Sequence, residues 1–438
     1  MKNFILITTL ILIVMPSNIF AEDRLSLGYI YSSSKTHSEI IENTKDSINV
    51  VSPTCLDLNE KGRLEVNGLI SKEFIEEMHS KNIKVTPFLS NHWGRKRAEK
   101  ALDNPNVLIE DVEKVIIEYN LDGVNVDFEN ISVDYKDKLT NFIKLLRERL
   151  PKEKTISVAV AANPERLETT WVASYDYEGL SEYANYLVLM AYDEHCQGGS
   201  QGAVASIGFV QKSLDYILET VSKDKIVLGI PLYGRFWKAG EERGGEAIVI
   251  GQVENLIKKY KLVPTFDNET MTPKLTIEID GVMTNAYVNG RYLEEGTYNI
   301  WYENEHSIKT KLKLINDYNL LGAGLWALDN EGIEFWDYYK TALNETEYED
   351  EQKIRVRQRA EAYEKIVKVE EIIVEAYIPW EIEKEIDNSD FVEKIDVEEY
   401  KCLEVIMPES IKAKVKNEKI LIKSYAKTQK ESVMVVKN

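Results

Sequence analysis

Eight short runs rich in β-branched residues recur along the chain, at 25–31, 48–54, 83–89, 123–129, 156–162, 186–192, 225–233 and 322–328. Between most of them lie stretches with helical periodicity, such as VEKVIIEYN before the fourth run and YKDKLTNFIKLLRERL after it. Several of the runs are apolar on both faces. A strand of that kind is stable only when helices cover the sheet on both sides, which is the environment of a parallel sheet. Eight consecutive repeats predict an α/β fold, a closed TIM (β/α)8 barrel. The spacing breaks once. About ninety residues separate the seventh run from the eighth, and SIKTKLKLINDYNL (307–320) supplies the expected helix. The excess, about 238–300, contains TPKLTIEIDG and NAYVNGRYL, which alternate as antiparallel strands do. It reads as a small α+β insertion after strand seven.

The two ends differ from this pattern. Residues 1–21, MKNFILITTLILIVMPSNIFA, carry one Lys, an apolar run and a terminal Ala, the layout of a signal peptide. The apolar run is shorter than the ~20 residues a membrane span needs. The chain is therefore expected to be secreted, with no membrane span after cleavage. The expected barrel domain is 22–345. Beyond it, NETEYEDEQK reads as an acidic linker, and 346–438 is expected to be a β-rich domain of unassigned role, with a hairpin turning at Lys416-Asn417-Glu418. The net charge is −20, and loss of the segment whose only charge is Lys2 leaves −21. Such a chain repels nucleic acid and other polyanions, and a neutral polymer suits it better. Cys55, Cys196 and Cys402 are far apart and odd in number, and no metal-ligand spacing links the histidines His92 and His195. No metal and no cofactor are expected, and the chain is expected to be a monomer.

The fourth run, DGVNVDFEN (122–130), places acids in an otherwise buried strand. Burial of a carboxylate is costly unless it is satisfied or used. Residues two apart share a face, so Asn125, Asp127 and Glu129 line one side, and Val124, Val126 and Phe128 the other. The polar side is expected to point into the barrel, with Glu129 outermost at the C-terminal end, where barrel enzymes keep their chemistry. Adjacent carboxylates push their pKa values apart, so Glu129 can stay protonated and act as a general acid while Asp127 does other work. That fits glycosidic bond cleavage. A retaining enzyme commonly needs a second carboxylate as nucleophile, but the seventh run ends IPLYGR, without an acid. The remaining candidates are Asp193 and Glu194; otherwise the substrate supplies its own nucleophile, such as an N-acetyl carbonyl.

DGVNVDFE resembles the DxxDxDxE signature of glycoside hydrolase family 18, the chitinase-type barrel. LMAYDEH (189–195), LGIPLYGR (228–235) and GAGLWALDNE (322–331) match in order, and the resemblance covers roughly 24–342. MAYDEH together with YNIWYENEHSIKTKLKLI is most similar to bacterial spore-cortex and cell-wall members, N-acetylglucosaminidases. The resemblance implies a general acid/base at Glu129, orientation of the substrate's 2-acetamido group by Asp127, and a hydrogen bond from Tyr192 to the acetamido carbonyl. It implies a floor for the bound sugar at Trp326 and polar contacts from Asp193 and Arg235. Tyr29 and Trp93 are further candidates for sugar contact, the latter by stacking a distal ring. The family uses substrate assistance, in agreement with the missing acid on the seventh run. One position departs: the middle Asp of the signature is Asn125, whose amide is expected to donate a hydrogen bond to Asp127. The expected substrate is a polysaccharide containing N-acetylglucosamine, peptidoglycan first and chitin second. A non-catalytic, lectin-like barrel is the alternative from another class.

Overall fold

The structure, a computed structural model, describes residues 24–344 apart from 32–33, 68–69, 242 and 281–285, together with the backbone of three strands between 403 and 437. Barrel strand β1 (Leu25–Ile30) pairs with β2 (Val50–Leu58) on one side and β8 (Gly322–Trp326) on the other. The circuit runs through β3 (Lys84–Val85 with Phe88–Ser90), β4 (Gly123–Asp127), β5 (Thr155–Ala161), β6 (Tyr186–Met190) and β7 (Ile226–Pro231), parallel throughout. The expected closed barrel is therefore present. β3 consists of two pieces, Lys84–Val85 and Phe88–Ser90, because Pro87 between them has no N–H for the ladder.

Helices α1 (His37–Asn43), α2 (Lys72–Ser80), α3 (Arg95–Asp103), α4 (Pro105–Glu118), α5 (Lys136–Arg149), α6 (Tyr177–Tyr183) and α7 (Ile207–Ile217) alternate with these strands. α5 shows why they dock. Leu139, Phe142, Ile143 and Leu146 recur at helical spacing and are buried. Each such side chain contributes about 1.5–3 kcal/mol when removed from water. Phe142 stacks on Phe128, just past β4, at 5.8 Å. The outward residues Val124, Val126 and Phe128 thus join the core between sheet and helices, and a second core, including Leu27, Tyr29, Phe88, Tyr186 and Val188, fills the barrel.

The seventh run divides in two. Pro231 ends β7, and Tyr233–Lys238 leaves the barrel to enter a separate sheet with Glu246–Val249, Gly296–Trp301, Thr272–Ile279 and Thr265–Asp267, all antiparallel. The insertion therefore starts a few residues before 238 and also carries α8 (Ile250–Tyr260). NAYVNGRYL does not join that sheet. It folds as its own ribbon, Tyr287–Val288 against Arg291–Tyr292, around Asn289 and Gly290. Both turn residues have positive φ, 50° and 82°, as a two-residue hairpin turn requires. The chain returns through α9 (Glu305–Asp317) to β8 and ends the unit with α10 (Phe335–Asn344). Lys311, midway along α9, and Glu303, just before that helix, form a fully buried ion pair at 2.8 Å.

The chain divides into the compact units Met1–Thr346 and Glu347–Asn438. In the second unit, Leu403–Ile406 and Ile420–Lys427 each pair antiparallel with Lys430–Lys437. At one end of the second pairing Lys427 faces Lys430. The turn expected at 416–418, the segment 1–21 and Cys402 lie outside the described residues. Cys55 is buried and Cys196 exposed, both as free thiols. Among the described residues, no helix is long and apolar enough to cross a membrane.

Candidate active site

The acids of DGVNVDFEN separate by height in the barrel. Asp122 lies at the base of β4, where its carboxylate accepts from the Val85 N–H at 2.8 Å and meets His79 Nε2 at 2.9 Å. It ties β4 to β3 and α2. Asn125, one layer up, is fully buried. Its Oδ1 accepts from the Tyr29 hydroxyl at 3.1 Å, and its Nδ2 donates to Ser157 Oγ at 2.8 Å. The expectation that this amide supports Asp127 is thereby overturned. β1 and β5 bring partners to Asn125 that take up both ends of the amide. Asn125→Ala leaves the Tyr29 and Ser157 groups short of a partner, and each buried orphan costs about 1–3 kcal/mol. Urea unfolding should register the loss; an unchanged midpoint would remove this account of Asn125.

Asp127 stands above it, nearly buried, with Oδ1 lacking a hydrogen-bond partner among the described residues. Burial pushes its carboxyl up to about 7, with nearby His92 pulling the other way. Glu129 follows at the mouth. Its carboxyl is held well above the usual range, first by burial and then by the charges of Asp127 and Asp193. The two acids titrate as a pair. Sequence reasoning missed what holds them. Asn91, fully buried after β3, donates from Nδ2 to the Glu129 carbonyl at 2.8 Å and accepts the Glu129 N–H on Oδ1 at 2.9 Å. The Tyr175 hydroxyl donates to the Phe128 carbonyl at 2.9 Å. Asn91 could have been sought in the sequence only as a polar residue at the end of the third run.

The other candidates reach the mouth from separate strands. Tyr192 follows β6, and the negative charges of Asp127 and Glu129 add to the burial that raises its phenol pKa. It fits because the facing residue on β7 is Gly229. A Cβ there would lie 2.8 Å from the Tyr192 ring and 2.7 Å from a backbone carbonyl. Trp326 ends β8 and meets Tyr29 at 5.3 Å, Tyr31 at 5.5 Å and Phe88 at 5.9 Å between ring centroids. Tyr29 is therefore packed beneath the tryptophan and is 2% exposed. Trp93 is 52% exposed and sits edge-on to Trp171 at 4.9 Å.

Asp193 and Arg235 pair with each other. Arg235 Nε donates to Oδ1 and a terminal nitrogen to Oδ2 of Asp193, both at 2.8 Å, while Nη1 donates to the Gly245 carbonyl at 2.7 Å. The Tyr233 hydroxyl also donates to Asp193, at 2.6 Å. Glu194 is exposed and accepts from the Ser206 N–H at 2.8 Å. The arrangement can donate one proton from Glu129, hold a negative charge at Asp127 and seat a ring against Trp326.

Residues 30–331 match the family described as glycosyl hydrolases family 18. The chain belongs to that family. Among its relatives, the uncharacterized glycosylase YvbX of Bacillus subtilis is 31% identical over 49% of this chain and 59% of its own length. The cortical fragment-lytic enzyme of the same organism is 27% identical over 50% of this chain and 48% of its own. The chain thus spans between about half and three fifths of these two relatives. Among solved structures, a chitinase from Chromobacterium violaceum superposes with a TM-score of 0.66 at 25% identity, over 74% of this chain and 99% of that one. The family 18 match takes in all of the strand ends that carry the site, from β1 to β8.

Proposed function

We propose that the chain is a retaining glycosidase that cleaves β-1,4 bonds after N-acetylglucosamine in peptidoglycan, by substrate assistance. The carrying observation is the carboxyl pair on one face of β4, both members held above their usual range at the barrel mouth. Glu129 donates its proton to the glycosidic oxygen as that bond breaks. The carbonyl oxygen of the substrate's own acetamido group bonds to the anomeric carbon, and positive charge spreads over the resulting ring. Asp127 stabilises that charge, and the Tyr192 hydroxyl donates to the acetamido oxygen. Glu129, now ionised, takes a proton from water as the water opens the ring, with net retention.

Two further observations support this route over a protein nucleophile. Asp193 is held by Arg235 and Tyr233, and Glu194 is exposed and bonded to the backbone of Ser206. The peptidoglycan preference, and with it a place in the cell envelope or spore after secretion, is supported by the likeness to a cortical fragment-lytic enzyme. Mass spectrometry of products from cortex peptidoglycan and from chitin oligomers tests the substrate. Release of fragments ending in N-acetylglucosamine from cortex is expected. Turnover of chitin alone would make the chain a chitinase of the same mechanism. Substrates without the N-acetyl group should not be cleaved, and a covalent glycosyl ester trapped on Asp193 or Glu194 would overturn substrate assistance.

A further inference from the structure

Two indoles from separate loops meet beside the end of β4. Trp93 follows β3, Trp171 follows β5, and they pack edge to face at 4.9 Å. Trp93 is 52% exposed. Its φ of 61° lies in the left-handed region, where a bulky residue persists only if surrounding contacts hold it. The contacts are present. The His92 N–H donates to Ser90 Oγ at 3.0 Å, the Gly94 N–H to the Asn91 carbonyl at 2.8 Å, and Asn130 Nδ2 to the Trp93 carbonyl at 3.1 Å. Asn130 directly follows Glu129, so the exposed indole is tied to the segment that carries the acid. An open indole face suits the apolar face of a sugar ring.

The same asparagine fixes a cation. Arg95, the first residue of α3, donates from Nε to the Asn130 carbonyl at 2.7 Å and from Nη2 to Asn130 Oδ1 at 2.9 Å. Both acceptors are neutral. Arg95 is exposed and meets no carboxylate among the described residues, and its Nη1 makes no hydrogen bond among them. Arg97, two residues on, differs: it pairs with Glu60. The chain as a whole carries −20, and the mouth holds Asp127, Glu129 and Asp193. A neutral glycan needs no cation at such a mouth, whereas a glycan bearing carboxylates is repelled from it unless one is supplied. We propose that Arg95 is a specificity-determining residue that binds a carboxylate carried by the sugar stacked on Trp93. One edge of the guanidinium is committed to Asn130, and the Nη1 end is open to that carboxylate. Peptidoglycan offers the group in two places, the lactyl substituent of N-acetylmuramic acid and the peptide linked to it; chitin offers neither. An alternating chain cut after N-acetylglucosamine puts the muramic residue next to the broken bond. The inference rests on the peptidoglycan reading above.

The test measures kcat and KM of the parent, Arg95→Gln and Arg95→Lys on soluble alternating tetrasaccharides, each as the free acid and as its methyl ester. One acid–ester pair carries bare lactyl groups and the other carries peptides. The parent's preference for acid over ester should fall about fivefold in Arg95→Gln, through KM, the size expected of one exposed ion pair. Arg95→Lys keeps the charge and should keep most of the preference. Added salt should erode the preference of the parent and leave that of Arg95→Gln unmoved. A fall seen with the bare lactyl pair assigns the carboxylate to the sugar, and a fall confined to the peptide pair assigns it to the peptide. A preference in Arg95→Gln equal to the parent's on both pairs overturns the role of Arg95, including the case in which acid and ester lose activity equally because Arg95 only braces Asn130. Parental cleavage of a chitin tetramer with none of the alternating substrates would instead overturn the peptidoglycan reading, and the assignment of Arg95 with it.

Discussion

Glu129→Gln lowers kcat by at least ~10²-fold and leaves the fold intact; that is the expected result for loss of a general acid. The carboxamide has the shape of the acid but no proton acidic enough to assist the leaving group. The fold is expected to survive because the grip on this segment is on its backbone. Asn91 binds the Glu129 N–H and carbonyl, and Tyr175 binds the Phe128 carbonyl. The substitution also removes the ionisable neighbour of Asp127, so the coupled titration reduces to a single one. Turnover of an N-acetylglucosamine oligomer, beside a thermal unfolding curve, checks both halves. Parental turnover with an intact fold would sink the assignment of Glu129.

Lys311→Met carries the largest expected effect on stability, a loss of about 3–5 kcal/mol, the usual result of removing one partner from a buried ion pair. Lys311 and Glu303 are 1% and 0% exposed, and the substitution leaves the Glu303 carboxylate with no compensating charge. Burial already raises the Glu303 pKa, with Lys311 opposing it. Without Lys311 the folded-state pKa rises further above the unfolded value. The folded state then binds the proton more tightly, so stability grows as pH falls through the folded pKa and is lost as pH rises. Urea unfolding should therefore show a smaller deficit at acidic than at neutral pH. The double variant Glu303→Leu with Lys311→Met should recover most of the loss. A deficit under about 1 kcal/mol at neutral pH would mean that the pair is not closed to water.

The barrel was legible because its signal is local and repeated. Runs apolar on both faces, each followed by a helical stripe, admit few arrangements, and the observed circuit from β1 to β8 is one of them. The position of Glu129 followed from strand alternation alone, since Asn125 and Asp127 share its face and Val124 and Val126 turn to the helices. The limits of the seventh strand were less legible. Pro231 stops the ladder, yet the apolar texture runs on into Tyr233–Lys238 and the second sheet.

The partners of each side chain could not be read in the same way. Asn125 meets Tyr29, 96 residues away, and Ser157, 32 residues away, and not Asp127 two positions along its own strand. Asp193 and Arg235, 42 residues apart, close on each other. Asn91 comes to the backbone of Glu129 from the turn after β3, 38 residues away. The sequence alone determined the order of strands and helices, the inward face of β4 and the height of each acid on it, because alternation is a property of the chain itself. Tertiary structure decided which donors reach which acceptors. Strand closure and register set those distances, and neither is encoded in any single segment.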